Sequence, residues 1–339
     1  MSLSSLIGNE QNKELLKRSL RSGRLPHALL FAGPEGVGKR QFALSLAKAV
    51  NCQQAVSGAG AGVYPEDSCD RCGSCFRIAN KEHLDVVEIK PDGAYIRIDQ
   101  AREVARQAML RPMEGRKRVF CIDEAEKLRD EAANAILKTL EEPPETTLII
   151  LITATPNSLL PTLRSRCQLL NFAPLPIEEI ESYLAANYKR PAADTRLLAR
   201  LSNGSIGRAI SIDLSVYRNA RKELLELTDV LARSRDPLRL IKAAEHFGKK
   251  EREEFIDILD IWSRILRDIF SILLDQKEGI VNEDVITRLE QLAAAVSIRL
   301  ISELAESIEE LRRNLRVNIN KQIALESLFL RIIDLQATS

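Results

Sequence analysis

ALLFAGPEGVGKRQFALSLAKAV, residues 28–50, decides the fold. Its first five residues are small or apolar without alternation, as in a strand covered on both faces. Gly33, Gly36 and Gly38 follow, then Lys39 and an amphipathic run that reads as a helix. Glycines between strand and helix let backbone N–H groups curl around phosphate oxygens, and the helix adds its positive end. Lys39 is placed to reach the terminal phosphates. The pattern Gly-x-x-x-x-Gly-Lys calls next for Ser or Thr, and this chain has Arg40. The missing hydroxyl is the group that ligates Mg²⁺; a guanidinium brings charge but no oxygen. Nucleotide could still bind through Lys39 and the loop amides, with weak hydrolysis or none.

Outward from this loop, apolar runs at 85–89, 118–123, 147–153 and 168–172 read as further buried strands. Helical patterns lie between them, as in KRQFALSLAKAV and RDEAANAILKTLEE, so a parallel sheet with helices on both faces is predicted. After Phe172 the strand signal stops. Short helical segments follow, and from about Leu214 the pattern is of longer helices. Phe255, Leu259, Trp262, Ile265, Leu266 and Ile269 share one helical face, as do Leu304, Ile308, Leu311 and Leu315. Three units are expected: an α/β domain over 1–172, a small helical one over 173–213 and an all-helical one over 214–339.

RVFCIDEAEKL (118–128) sets Asp123 and Glu124 at the end of an apolar strand. Beside a phosphate loop, the first acid can orient Mg²⁺ and the second can polarise an attacking water. Acids at a helix start are the simpler alternative. Cys52, Cys69, Cys72 and Cys75 lie within one insert at about 52–75, the last three two residues apart. Four thiolates in a reduced compartment favour a closed, structural zinc site. An iron–sulfur cluster and plain buried or redox thiols are the competing readings. The glycine-rich run at 55–67 reads as a flexible loop.

The 339 residues carry a net charge of +1, and aromatics make up only 4%, so neither a global basic field nor a base-stacking surface is indicated. The opening MSLSSLIGNEQNKELLKRSL has no signal-peptide core, and no apolar run approaches the roughly 20 residues of a membrane span. A cytoplasmic protein is expected. His27, His83 and His246 have no neighbouring Cys or Asp that suggests catalysis, so packing or capping roles are expected for them.

HALLFAGPEGVGK, the four-cysteine insert, IRIDQAREV, DEAEKL, NAILKTLEEPP and LPTLRSRCQLL follow one another in this order. In this the chain resembles the delta-prime class of clamp-loader subunits of bacterial DNA polymerase III, within the AAA+ family. The match is strong over residues 1–210 and looser beyond, where RVNINKQIALESLFLRI fits the class's collar. The resemblance implies an AAA+ phosphate-loop domain with a zinc insert, a helical lid and a helical collar that joins five subunits. It implies delta and gamma/tau subunits, a sliding clamp and primed DNA as partners, DNA being reached through the complex. The SRC arginine, Arg166, carries over as a finger offered to a neighbour's ATP, with Arg164 as runner-up. Thr153 takes the place of a residue sensing the γ-phosphate, and LIGNE (6–10) that of a segment near adenine. Gly207 stands where motor subunits have a second-sensor arginine, and that role does not pass to Arg208, about 100° further round a helix. Arg40 and Gly207 together imply a platform, the alternative being an active motor of the gamma/tau type.

Overall fold

A computed structural model describes residues 1–54, 63–315 and 319–337. Most of the glycine-rich run, from 55 to 62, and the start of the collar stretch RVNIN, at 316–318, lie outside the described residues. Two compact units result: Met1–Asn187 with Ser202–Ile210, and Tyr188–Leu201 with Ser211–Ser339.

The first unit is built on five parallel strands: β1 (Ala28–Ala32), β2 (Val86–Ile89), β3 (Arg118–Ile122), β4 (Thr147–Thr153) and β5 (Gln168–Asn171). Their order across the sheet is β2-β3-β4-β1-β5. In register, Leu30 of β1 pairs with Leu151 of β4 and with Leu169 of β5. All strands run the same way, so their carboxyl ends share one edge. The order reverses around β1, the arrangement that opens a ligand crevice beyond the strand ends.

Helices α1 (Glu10–Ser22), α2 (Lys39–Asn51), α3 (Gly73–Ala79), α4 (Ile98–Ala108), α5 (Asp130–Glu141), α6 (Pro161–Arg164) and α7 (Ile177–Asn187) complete most of this unit. The unalternated strands are explained by two cores. Leu29 and Phe31 of β1 face Leu16, Leu20, Phe42 and Leu46 on one side of the sheet. Ala28 and Leu30 face Ala101, Val104, Ile136 and Leu140 on the other. Phe172 closes the first core, with its ring 5.1 Å from that of Phe31 and 4.9 Å from that of Phe42.

A buried polar hub holds the strand ends opposite the crevice. The Asp85 carboxylate accepts from the N–H groups of Met113, Glu114 and Gly115 and from the Arg118 guanidinium, with neither charged side chain more than 5% exposed. The Asn51 side-chain oxygen accepts from Arg116 and Lys117. Together they fix the 109–117 connection into β3.

The second unit contains α8 (Ala192–Leu201), then, after the short α9 (Ile206–Ser211) that belongs mainly to the first, six long helices. These are α10 (Leu214–Asp229), α11 (Pro237–Gly248), α12 (Arg252–Leu273), α13 (Ile286–Ala293), α14 (Ile298–Asn314) and α15 (Lys321–Ala337). Asp213 caps α10 by accepting from Ser215 and Val216. The two apolar faces read from sequence meet in one core around Trp262, whose indole N–H donates to Thr228 Oγ1 at 3.0 Å. Among the described residues no helix is long and apolar enough to cross a membrane.

Candidate functional site

β1 ends in Ala32, and the chain must turn at once to start α2. Gly33, Gly36 and Gly38 all have positive φ, at 153°, 71° and 99°. At the first two, packing adds to the conformational demand. A Cβ on Gly33 would lie 2.3 Å from the Phe172 carbonyl oxygen, and one on Gly36 would lie 2.2 Å from Ser205 Oγ. Gly38 meets nothing within 4 Å, so its left-handed backbone at the head of α2 alone requires glycine.

The loop borders a cavity of about 540 Å³ at the carboxyl edge of the sheet, large enough for a nucleotide-sized ligand. Gly36, Gly38, Lys39, Arg40, Asp123, Glu124 and Thr153 line it, joined by Leu6 and Ile7 of the N-terminal segment. Gly33 stands just behind, its N–H donating to the Thr153 carbonyl. Asn9 of LIGNE precedes α1 without a side-chain capping bond to it; it exchanges hydrogen bonds with the Ala173 backbone instead.

Lys39 is buried, and its ammonium donates to the carbonyls of Gly33 and Pro34 at 2.6 and 2.7 Å. Burial, offset in part by Glu126, Glu35 and Asp123, holds it below the ordinary lysine value. Phosphate oxygens would meet this ammonium and the loop N–H groups together. Thr153 is fully buried at the end of β4 and accepts from the Thr155 N–H through its hydroxyl.

Arg40 turns to β2. Its Nε and Nη2 both donate to Glu88 Oε2, at 2.8 and 2.5 Å. Position 40 thus presents a paired guanidinium where Mg²⁺ needs an oxygen, and the residues do not fit that ion in its usual place. Asp123 accepts from the Glu124 N–H, while Glu124 sits at φ 51° and pairs with Lys127 three residues on. Glu126, not singled out from sequence, is the acid that acts most strongly on Lys39. One of its oxygens accepts from Ala154 N–H and the other is buried without a partner. Its signal was available in DEAEKL: on a tight turn the third acid returns to the side of the first.

The turn 202–210 lies directly on the loop. Gly207 N–H donates to the Gly36 carbonyl at 3.0 Å, and a Cβ on Gly207 would lie 3.0 Å from Gly36 Cα. A larger residue there requires the two backbones to part by a few tenths of an ångström.

Arg166 is not among the residues lining the cavity. Its guanidinium meets Glu141 Oε1 at 2.5 Å and donates to the Thr162 carbonyl at 2.9 Å. Arg164, close by in sequence, bonds instead to Asn157.

The structure brings Cys52, Cys69, Cys72 and Cys75 together, all four Sγ atoms lying within 4.8 Å of one another, so the cluster can hold a metal ion. A tetrahedral zinc ion with Zn–S near 2.3 Å asks for sulfurs roughly 3.8 Å apart, a small adjustment. Cys72 N–H donates to Cys69 Sγ at 3.3 Å, and the N–H groups of Gln53 and Cys75 donate to Cys72 Sγ. Such bonds favour thiolates. Those from Arg71 and Cys72, with neighbouring thiols, bring the Cys69 thiol down to about 6. Burial pushes Cys52 and Cys75 the other way. Lys48 of α2 pairs with Asp70 at 2.9 Å and ties the insert to the phosphate-loop helix. Cys121 is buried in β3 and Cys167 is half-buried, both apart from the cluster.

The histidines make local contacts. His27 meets the Leu140 carbonyl, His83 meets Ser74 in the hub beside Asp85, and His246 meets Glu223.

Comparison with known proteins points one way. Residues 8–176 match the family model described as DNA polymerase III, delta subunit, and residues 218–334 its C-terminal model. The chain is 30% identical over 323 residues to the DNA polymerase III subunit delta' of Bacillus subtilis, covering 94% of each. It is also 30% identical to the subunit gamma/tau of Mycobacterium tuberculosis, but spans 61% of that protein's length. Among solved structures, a DNA polymerase III gamma subunit-related protein of Thermotoga maritima aligns over 95% of this chain and 98% of that one, at 20% identity and a TM-score of 0.38.

Proposed function

The chain belongs to the DNA polymerase III delta-subunit family, and we propose that it acts there as a clamp-loader subunit that serves its neighbours' ATP chemistry. The complex in view is a cytoplasmic hetero-pentamer with delta and gamma/tau subunits, which places a sliding clamp on primed DNA. In this reading residues 1–172 form the AAA+ domain, 173–213 the lid and 214–339 the collar. Any DNA contact by this subunit goes to phosphates and weakens with salt.

One observation carries the reading. Arg166 stands outside its own subunit's cavity, on the surface, fixed by Glu141 and Thr162. An arginine so placed cannot neutralise a phosphoryl group bound at its own Lys39, and can do so for a ligand on another subunit. The cavity supports the same division of labour. Gly33, Gly36, Gly38 and Lys39 form a phosphate cradle able to hold a nucleotide. The Arg40–Glu88 pair withholds the metal ligand on which phosphoryl transfer depends, which also argues against a gamma/tau-type motor. Asp123, Glu124 and Thr153 then contact nucleotide or the cavity wall without driving hydrolysis. The four cysteines hold a structural zinc ion, which when bound fixes the insert and offers no open position for chemistry.

The test is Arg166→Ala in a reconstituted loader with clamp and primed DNA. DNA-dependent ATP turnover is expected to fall at least tenfold, a trans arginine being worth up to ~10³–10⁵ in rate at the site it serves. Turnover equal to that of the unaltered complex would remove the finger role.

A further inference from the structure

We propose that Glu141 is a positioning residue for Arg166; the inference rests on the finger role given above. LEEPP and SRC lie more than twenty residues apart in the sequence, and the structure joins them through Glu141 and Arg166. Glu141 is the last residue of α5, and Arg166 lies just beyond α6. Glu141 Oε1 receives Nη2 of Arg166 at 2.5 Å, while Nη1 donates to the Thr162 carbonyl at 2.9 Å and to Ser165 Oγ at 3.3 Å. A long side chain that would otherwise sample many rotamers is held in one by its own subunit.

Two features set Glu141 apart from a chance surface partner. A carboxylate at a helix C-terminus faces the negative end of the dipole and is disfavoured there unless a cation offsets it. The Arg166 guanidinium is the cation paired with it among the described residues. Pro143 and Pro144 follow after Glu142 and stop the helix, and the Pro144 carbonyl accepts from Thr147 N–H, so the end of α5 is anchored to the start of β4. The carboxylate therefore stands on a fixed support while the arginine sits on a short turn. Pre-setting the guanidinium lowers the ordering cost when charge develops on a neighbour's transferring phosphoryl group. A phosphate presents oxygens as a carboxylate does, so it can replace Glu141 at the same fork.

A double-mutant cycle in the reconstituted loader tests this, with ATP turnover read as kcat and KM. Glu141→Gln keeps the size and removes the charge. It is expected to lower kcat by between about 10-fold and about 100-fold with KM for ATP unchanged. Added to Arg166→Ala, it should have no further effect, because the group it positions is gone. Glu141→Asp should recover part of kcat, and it carries the same readout if the Gln variant fails to assemble. Loss that adds fully to that of Arg166→Ala, or no loss at all, overturns the positioning role and leaves the finger reading standing. An Arg166→Ala complex with unchanged turnover overturns both.

Discussion

Arg40 is the residue at which the phosphate loop departs from its pattern, and its partner shows what the departure does. Glu88 Oε2 accepts both guanidinium donors, while Glu88 Oε1 is buried with no partner. Arg40→Ser restores a hydroxyl but strands that carboxylate, so a melting-temperature loss equivalent to about 1–3 kcal/mol is expected. Pairing it with Glu88→Gln should return most of the loss. In the double variant, a fluorescent ATP analogue should bind more tightly with Mg²⁺ than with a chelator, whereas the unaltered chain should show little such difference. The sequence made Arg40 visible as an anomaly. Glu88 was hidden, because nothing in a buried-strand pattern tells which acid is turned inward to meet a residue 48 positions away.

At the scale of elements, the hub behind the sheet and the cysteine insert make separate predictions. Burial alone would raise the Asp85 carboxyl, but three backbone N–H groups and Arg118 together hold it below the ordinary carboxylate range. Its stabilisation is complete above the unfolded value of about 3.9 and is lost as pH falls through the lower folded value. Urea midpoints measured between pH 2 and 6 should therefore drop steeply at the acid end, and less so in Asp85→Asn. Arg118→Ala, which leaves a buried charge unpaired, should cost about 3–5 kcal/mol. For the insert, elemental analysis should find one zinc per chain. Serine at Cys69 and Cys72 should abolish it, and metal retention should weaken as pH falls, because protons compete with the metal for the thiolates.

The same scale shows what the sequence could reveal. All five strands were legible as short apolar runs, although only β1, β3 and β4 are buried along their whole length, while the edge strands β2 and β5 are partly exposed. The cysteine cluster was legible from spacing. The polar hub was not: Asp85 and Arg118 each look like an ordinary charge at a strand end, and only the fold brings them within 2.9 Å. Glu126 lies in the open within DEAEKL, but the left-handed backbone at Glu124 is what brings it round toward Lys39.

At the scale of the whole molecule, the chain combines a glycine loop of altered pattern, an arginine outside the cavity that loop borders, and a helical unit with its own core. That core centres on Trp262, so Trp262→Ala should lower stability by about 3–5 kcal/mol, read as an earlier urea transition, and impair assembly more than nucleotide binding. The central claim is that this subunit contributes an arginine to a neighbour's site and little turnover of its own. The most direct measurement compares two reconstituted loaders, one carrying Lys39→Ala and the other Arg166→Ala in this chain only. Clamp- and DNA-dependent ATP turnover should be nearly unchanged in the first and at least tenfold lower in the second. The reverse pattern, loss with Lys39→Ala and none with Arg166→Ala, would contradict the claim and make the chain a motor.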